Sequence, residues 1–199
     1  KNIYPEYKAN RKERYAEQTP QEQAEFEQFM GEFSNAFTNL KKRGHLTIRQ
    51  TGLEADDLAA WIVGKKQEFG IDEIWLISSD KDWDLLIQDK VSRFSTVTRK
   101  EITLDNWDDH YDIEPDKYLT LKCLAGDTGD NVPGISGIGP KRAVSLIEQY
   151  GDLFDIYNAC PIDSHYKFIQ TLNENADRLL LNAELMDLES YSEQALIEA

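Results

Sequence analysis

Carboxylates in three short groups are the side chains of this chain whose types and spacing could do chemistry. The groups lie in the segments GLEADD, SSDKDWD and AGDTGDN, and their members are Glu54, Asp56, Asp57, Asp80, Asp82, Asp84, Asp127 and Asp130. Carboxylates at this density repel one another unless cations hold them, and hard divalent cations prefer oxygen ligands. The pattern therefore predicts a site for divalent metal ions.

A glycine-rich hairpin, Val132 to Ala143, follows the third acidic group directly. Its glycines allow the positive φ angles and the close approach that a phosphate-binding turn requires. A helix then begins, and its first turn offers free amides and a basic pair to an anion. The residues concerned are Gly134, Gly137, Gly139, Lys141 and Arg142. The hairpin therefore favours a contact with nucleic-acid backbone that does not depend on base sequence.

Each feature also has a structural explanation when it is taken alone. Acids in a first helical turn are favoured by the helix dipole, and aspartates after a strand are common in turns. Asp84 lies a turn into the next short helix, where a solvated acid or a cap explains it equally well. The hairpin alone could be a plain helix–turn–helix corner. The presence of all the groups together favours the chemical interpretation.

The net charge of −15 over 199 residues argues against a general polyanion binder. The argument is weakened by the clustered acids, since two divalent ions would offset four of their charges. Basic residues also gather locally, at the hairpin and at Lys8, Arg11, Lys12 and Arg14. We therefore expect nucleic-acid binding that depends strongly on salt.

The length predicts one domain, with room for a small appendage. No apolar run has the length needed to cross a bilayer, so we expect no membrane association. Cys123 and Cys160 are predicted to be buried free thiols in a reducing cytoplasm.

The elements that must position these residues follow from hydrophobic periodicity and capping signals. Thr19 and Pro20 predict a helix start, with helical spacing to about Arg43. The nearly continuous apolar run Glu73 to Ser78 predicts a parallel strand that is covered on both faces. Further strands are predicted at 46–50, 93–97 and 101–104, and further helices at 54–69, 116–125, 139–150 and 166–188. Strand, helix and strand in this order predict an α/β layer.

The acids lie where this layer would bind a ligand. Asp80 follows the end of the predicted strand 73–78, and ligands of open α/β sheets bind in the crevice outside the carboxyl ends of the strands. Asp80 and Asp82 can therefore point into one crevice. Glu54 opens the preceding helix at the same edge of the sheet.

Four motifs in this order, PEYKANR, GLEADDLAA, ISSDKDWDLL and LAGDTGDNVPGISGIGPKRA, closely resemble the 5′ nuclease superfamily. That superfamily contains flap endonucleases, the 5′ nuclease domain of bacterial DNA polymerase I and phage 5′–3′ exonucleases, and the motifs look most like the tailed-phage proteins. The resemblance covers roughly residues 5–187. It implies a PIN-like α/β nuclease core with a mostly parallel sheet, part of a helical arch and a C-terminal helix–three-turn–helix DNA-binding subdomain. We expect the divisions to be 1–43, 44–114, 115–165 and 166–199.

The resemblance also implies roles for particular residues. Around two divalent ions, Mg²⁺ or Mn²⁺, it implies as ligands Glu54, Asp56, Asp57, Asp80, Asp82, Asp127 and Asp130. It implies that Lys8 and Arg11, at the base of the arch, are catalytic and engage the scissile phosphate. The duplex-binding element corresponds to the hairpin, and several relatives also hold a potassium ion there.

In one respect the chain departs from the family pattern. Family members begin with a strand that carries another metal-binding aspartate, and a second such aspartate precedes the arch. This sequence begins at Lys1, within the arch. We therefore expect residues 1–199 to be a piece of a longer protein and to cut DNA weakly or not at all by themselves.

The implied function is structure-specific hydrolysis of phosphodiester bonds near a 5′ flap, nick or overhang by a monomer, in the host cytoplasm if a phage encodes it. Two alternatives remain open: a non-catalytic module that binds branched DNA, and a helix–hairpin–helix DNA glycosylase. A requirement for divalent metal separates the nuclease from the glycosylase. The sequence leaves open exonuclease or endonuclease preference, DNA or RNA-primer substrates, and protein partners.

Overall fold

The computed structural model describes residues 3–190. The chain forms two compact units. The first consists of residues up to Gly52 together with Gly129–Asn131, and the second of Leu53–Thr128 together with the residues from Val132 onward. The last nine residues of the predicted segment 166–199 lie outside the described residues.

The first unit contains two helices, α1 (Ala9–Ala16) and α2 (Pro20–Lys42). The start of α2 is as predicted: the Thr19 side chain accepts from the Glu22 amide, and the Glu22 carboxylate accepts from the Thr19 amide 2.8 Å away. Two backbone donors that a helix start leaves unsatisfied are thereby bonded. The phenylalanines of α2 remain largely exposed within this unit, with Phe29 58% accessible.

The predicted strand at 46–50 is wrong. Residues 45–50 have no regular secondary structure, and Leu46 is 86% exposed. A short run of β-forming residues becomes a strand only where another strand pairs with it. The predicted strand–helix–strand unit that began at residue 46 is therefore not formed in the described part of the chain.

The second unit is built on a three-stranded sheet of β1 (Ile74–Ile77), β2 (Val91–Ser95) and β3 (Lys100–Ile102). The first two strands are parallel, as predicted, and the last two are antiparallel. The prediction that β1 is covered on both faces is wrong. Leu76 is buried, but Trp75 and Ile77 are 43% and 60% exposed, because within residues 3–190 the face of β1 that carries them is not covered.

Helix α3 (Ala55–Gly64) covers one face of this sheet. It buries Ala59, Ala60 and Val63 against Leu76 and neighbouring core residues. It ends before the predicted Phe69 and is followed by turns as far as Gly70, whose φ is 65°. Its first turn is thereby held beside the segment that follows β1.

Most of the rest of the second unit is helical. Its helices are α4 (Tyr118–Ala125), α5 (Pro140–Tyr150), α6 (Leu153–Ala159), α7 (Lys167–Glu174) and α8 (Asp177–Met186). The single helix predicted at 166–188 is thus two helices, divided at Asn175 and Ala176. Cys123 and Cys160 are free thiols as predicted. Cys123 is fully buried, and burial raises its pKa to about 12. The prediction that Cys160 is buried as well is wrong, since it is only partly buried.

A small two-stranded sheet, β4 (Gly126–Asp127) and β5 (Val132–Pro133), joins α4 to the hairpin. A side chain at Gly134 would place its Cβ 2.3 Å from the carbonyl carbon of Ala125. Glycine is therefore required at 134 by backbone packing against the end of α4. Among the described residues, no helix combines the length and hydrophobicity of a membrane span.

Candidate metal and nucleic-acid site

Two of the predicted metal ligands converge on one buried cation in the second unit. Asp82 lies in the 3₁₀ helix Lys81–Leu86, directly after β1, and Asp127 lies in β4, directly after α4. The Lys122 ammonium, in the last turn of α4, donates to Asp82 Oδ1 and, over 3.0 Å, to Asp127 Oδ2. The three side chains are only 10–24% exposed.

Burial and charge act in opposite directions on this cluster. Burial raises the pKa of Asp82, although the Lys122 ammonium opposes the effect. Burial alone would lower the pKa of Lys122, but the Asp82 and Asp127 carboxylates outweigh it and raise that pKa. Lys122 is therefore a cation at neutral pH, held by two carboxylates in a largely dehydrated place.

The donor set of this pair suits a hard divalent ion. Asp82 and Asp127 already arrange their oxygens around a positive charge, for which the ammonium is a stand-in. Among residues 3–190, however, no three or more Asp, Glu, His or Cys side chains are close enough together to hold a metal ion. The structure thus brings together one pair of the predicted ligands and not the complete set.

The other predicted ligands of the second unit make local contacts. The Asp57 carboxylate accepts from the Glu54 amide over 2.9 Å, at the start of α3. Asp56 Oδ1 accepts from the Trp83 indole over 2.6 Å, and Asp80 Oδ1 accepts from the Asp82 amide over 3.1 Å. Trp83 itself packs against the core. Metal-ligand roles for these acids stay predictions.

Asp130 lies in the first unit, where it meets the two predicted catalytic residues. Its carboxylate is 3.3 Å from Lys8 Nζ and 2.5 Å from Arg11 Nη2, and it accepts from the Tyr7 hydroxyl over 3.0 Å. Lys8 precedes α1 with a φ of 57° and is bonded through its amide to the Asp130 carbonyl. The structure therefore holds both basic side chains at one carboxylate.

The interpretation of Asp84 as a solvated acid or a cap is wrong. Its carboxylate is fully buried and accepts two bonds from the Arg93 guanidinium, at 2.5 and 2.8 Å. The Tyr111 hydroxyl donates to the same carboxylate over 2.5 Å and lies 3.3 Å from the Tyr118 hydroxyl. Burial raises the pKa of both tyrosines, so they remain neutral donors. Asp84 therefore connects β2 to the helical part of the unit.

The two basic residues of the hairpin differ in their surroundings. Lys141 is exposed at the start of α5. Arg142 is also exposed, but Nη1 donates to the Gly137 carbonyl over 2.5 Å and its guanidinium lies 4.5 Å over the Phe168 ring. Gly137 has a φ of 85°, and an added Cβ would lie 3.3 Å from Phe168 Cβ. Arg142 therefore fixes the shape of the hairpin as well as adding charge.

Comparisons with known proteins agree with this geometry. Residues 1–112 match the N-terminal resolvase-like domain of 5′-3′ exonucleases, and residues 113–196 match their C-terminal SAM fold. The chain belongs to the 5′-3′ exonuclease family. The predicted fold class, an α/β nuclease core followed by a helical subdomain, is thereby confirmed.

Individual members of the 5′-3′ exonuclease family resemble the chain over nearly its whole length. The flap endonuclease of Escherichia phage T5 is 42% identical over 96% of this chain and 66% of the relative. DNA polymerase I of Rhizobium leguminosarum is 34% identical over 94% of this chain and 17% of the relative. A crystal structure of the T5 D15 protein with metal ions has a TM-score of 0.91 at 42% identity, covering 98% of this chain and 73% of that one. The chain thus spans less than two thirds of the T5 flap endonuclease and of the DNA polymerase.

Lys122 is the residue of the site that sequence reasoning missed. It is the single charged residue of α4, and it lies five positions before Asp127. A lone lysine on the buried side of an apolar helix requires a carboxylate partner. That pattern could have identified it from the sequence.

Replacing Lys122 with methionine should make the protein depend more on divalent ions. Without them, Asp82 and Asp127 lose the ammonium that lies between them, and we expect the Tm to fall by about 5 °C. Millimolar Mn²⁺ or Mg²⁺ should then raise the Tm more than in the unchanged protein, because the ion binds only the folded state.

The matched control is Lys117→Met, which removes a half-buried lysine paired with Asp116 directly before the same helix. It should leave both the metal-free Tm and the metal-induced gain unchanged. Equal gains in the two variants would contradict a cation site at Asp82 and Asp127.

Proposed function

We propose that this chain is part of a structure-specific 5′ nuclease, which hydrolyses phosphodiester bonds near the 5′ end of branched or nicked DNA with two divalent ions. The observation that carries the proposal is the convergence of Asp82 and Asp127 on a buried cation, in a chain of the 5′-3′ exonuclease family. A structural ion pair alone would not require two carboxylates from separate elements around one charge.

Different residues of the chain would bind the metal ion and stabilise the phosphate. Asp82 and Asp127 would hold a divalent ion, which when bound promotes ionisation of water and stabilises charge on the phosphate. Lys8 and Arg11 would neutralise the charge that grows on the phosphate oxygens in the transition state. In the structure Asp130 holds these two cations in place, so their orientation is prepared before substrate binds.

The hairpin would hold the duplex beside the cleaved strand. The amides at the start of α5 and the exposed Lys141 offer a phosphate both hydrogen bonds and charge. A T5 D15 variant that is 41% identical to this chain has been solved as a pseudo-enzyme-product complex with DNA and metal ions. We propose that this chain binds DNA as well.

Further particulars belong to the same proposal. The ions would be Mg²⁺ or Mn²⁺, and the hairpin could also hold K⁺. The substrate would carry a 5′ flap, nick or overhang, and the protein would act as a monomer in the cytoplasm.

The test is cleavage of a labelled 5′-flap duplex by the intact protein that contains residues 1–199. We expect cutting with Mg²⁺ or Mn²⁺, none with a chelator, and products that end in a 5′-phosphate and a 3′-hydroxyl. Binding of the flap without cleavage in any divalent ion would instead favour a branched-DNA binding module. Release of a free base without metal would favour a glycosylase.

Replacing Lys141 with alanine should weaken duplex binding by about threefold and reduce the salt slope by about one unit, equally for all base sequences. Arg142→Ala should weaken binding as well, and it should also lower the Tm, because it removes the contacts with Gly137 and Phe168. Fluorescence anisotropy at several salt concentrations measures the slopes, and Lys117→Ala is the control. A sequence-dependent loss would contradict a backbone contact.

A further inference from the structure

A polar cavity lies in the second unit, apart from the Asp82–Asp127 pair. Its volume is about 240 Å³. Basic and hydroxyl side chains make up most of its lining, chiefly Lys81, Arg93, Ser95, Thr98, Lys100 and His110. In a chain with a net charge of −15, such a concentration of positive charge in one concave place calls for a physical explanation.

The backbone geometry of the β2–β3 hairpin creates this lining. Arg93 and Ser95 are two residues apart on β2, so they share one face of the sheet. On β3, Lys100 pairs with Ser95 and Ile102 pairs with Arg93, which places them on that same face. Thr98 lies in the turn between the strands, and its amide donates to Ser95 Oγ over 3.2 Å.

Two further segments close the cavity. Ser79 and Lys81 come from the residues directly after β1, and His110 and Tyr111 follow the short 3₁₀ helix Trp107–Asp109. The segment after β1 is also the one that carries Asp80 and Asp82. The cavity therefore shares a supporting segment with the predicted metal ligands.

The charge balance of the lining is positive. The guanidinium of Arg93 is neutralised by Asp84 behind it, so this pair forms an uncharged, hydrogen-bonded floor. Lys81 and Lys100 add two ammonium groups at the rim, and His110 adds a ring nitrogen donor. Among residues 3–190 no carboxylate lines the cavity, so its lining favours an anion over a cation as ligand.

We propose that this cavity is a phosphate-binding subsite, which takes a phosphate of a nucleic-acid strand next to the one that is cut. Lysine ammonium groups and hydroxyls are donors that phosphate oxygens accept readily. The volume is below the roughly 300–1,000 Å³ of pockets for whole drug-sized ligands, so it suits a phosphate group better than a complete nucleotide. That the phosphate belongs to a DNA strand rests on the proposed function. A free phosphate ion offers the cavity the same oxygen acceptors.

The first experiment needs neither cleavage nor divalent metal. The ¹⁵N-labelled chain is titrated with inorganic phosphate and its amide resonances are followed by NMR. We expect saturable shifts at Ser95, Thr98 and Lys100. Lys100→Gln should weaken this binding by about fivefold, because it removes one charge-assisted hydrogen bond. Arg99→Gln removes the same charge from the adjacent residue, which does not line the cavity, and should leave the affinity unchanged.

The second experiment identifies the source of the phosphate. The salt dependence of binding to a 5′-flap duplex is measured for the unchanged protein and for the two variants, without divalent ions. A strand phosphate in the cavity predicts that Lys100→Gln reduces the slope by about one unit and that Arg99→Gln does not. An unchanged slope with intact phosphate binding would overturn the strand assignment and leave free phosphate as the ligand.

Absence of any phosphate-induced shift, or equal effects of the two variants, would overturn the subsite itself. These results are distinguishable from failure of the nuclease proposal. That failure would appear as no metal-dependent cleavage while phosphate binding at Lys100 persists.

Discussion

Replacing Asp82 with asparagine in the intact protein should lower the rate of 5′-flap cleavage by about a thousandfold. Asparagine keeps the size of the side chain but removes the negative charge that would hold a divalent ion opposite Asp127. The ion would stabilise the transition state more than the bound substrate, because negative charge accumulates on the phosphate there. Duplex affinity should change by less than about twofold, because the hairpin and the basic residues supply it.

The measurement is single-turnover cleavage with saturating protein, beside a binding titration of the same substrate. The control is Asp89→Asn, which removes an exposed carboxylate before β2 and leaves the Asp82–Asp127 pair intact. An Asp82→Asn protein that cuts within about tenfold of the unchanged rate would contradict a metal-ligand role for Asp82.

Replacing Arg93 with methionine should have the largest effect on stability. Arg93 is 3% exposed and its partner Asp84 is 1% exposed, so the substitution leaves a carboxylate buried with only its tyrosine donor. Loss of one partner of such a pair costs about 3–5 kcal/mol. For a chain of this length, we therefore expect the Tm to fall by about 10 °C.

Two further variants test the cause of that loss. Arg99→Met removes an exposed arginine in the turn that follows β2 and should leave the Tm unchanged. Arg93→Met combined with Asp84→Asn should recover part of the Tm, because the buried group no longer carries a charge. If Arg93→Met unfolds within 2 °C of the unchanged protein, the buried pair does not contribute to stability as its geometry indicates.

Much of the secondary structure of both units could be predicted from local sequence. An apolar run identified β1, and hydrophobic periodicity identified α4 and α5. Capping signals placed the start of α2 at Thr19. These features are local: a helix cap or an apolar run needs only its own neighbours in the chain. The strand predicted at 46–50 is wrong because a strand also needs a second strand to pair with, and the local sequence does not show whether one is present.

The chemistry of the candidate site divides in the same way. The acidic groups, the glycine-rich hairpin and the resemblance to 5′ nucleases were readable from the sequence, and together they predicted the family and the residue types of the site. Only the tertiary structure decided the partners of each charge: Lys122 between Asp82 and Asp127, Asp130 against Lys8 and Arg11, and Asp84 buried against Arg93. These partners are as many as 122 residues apart in the chain. The local sequence determines which charged side chains are present. The packing of distant segments determines which of them are buried, and a buried charge is stable only beside an opposite charge.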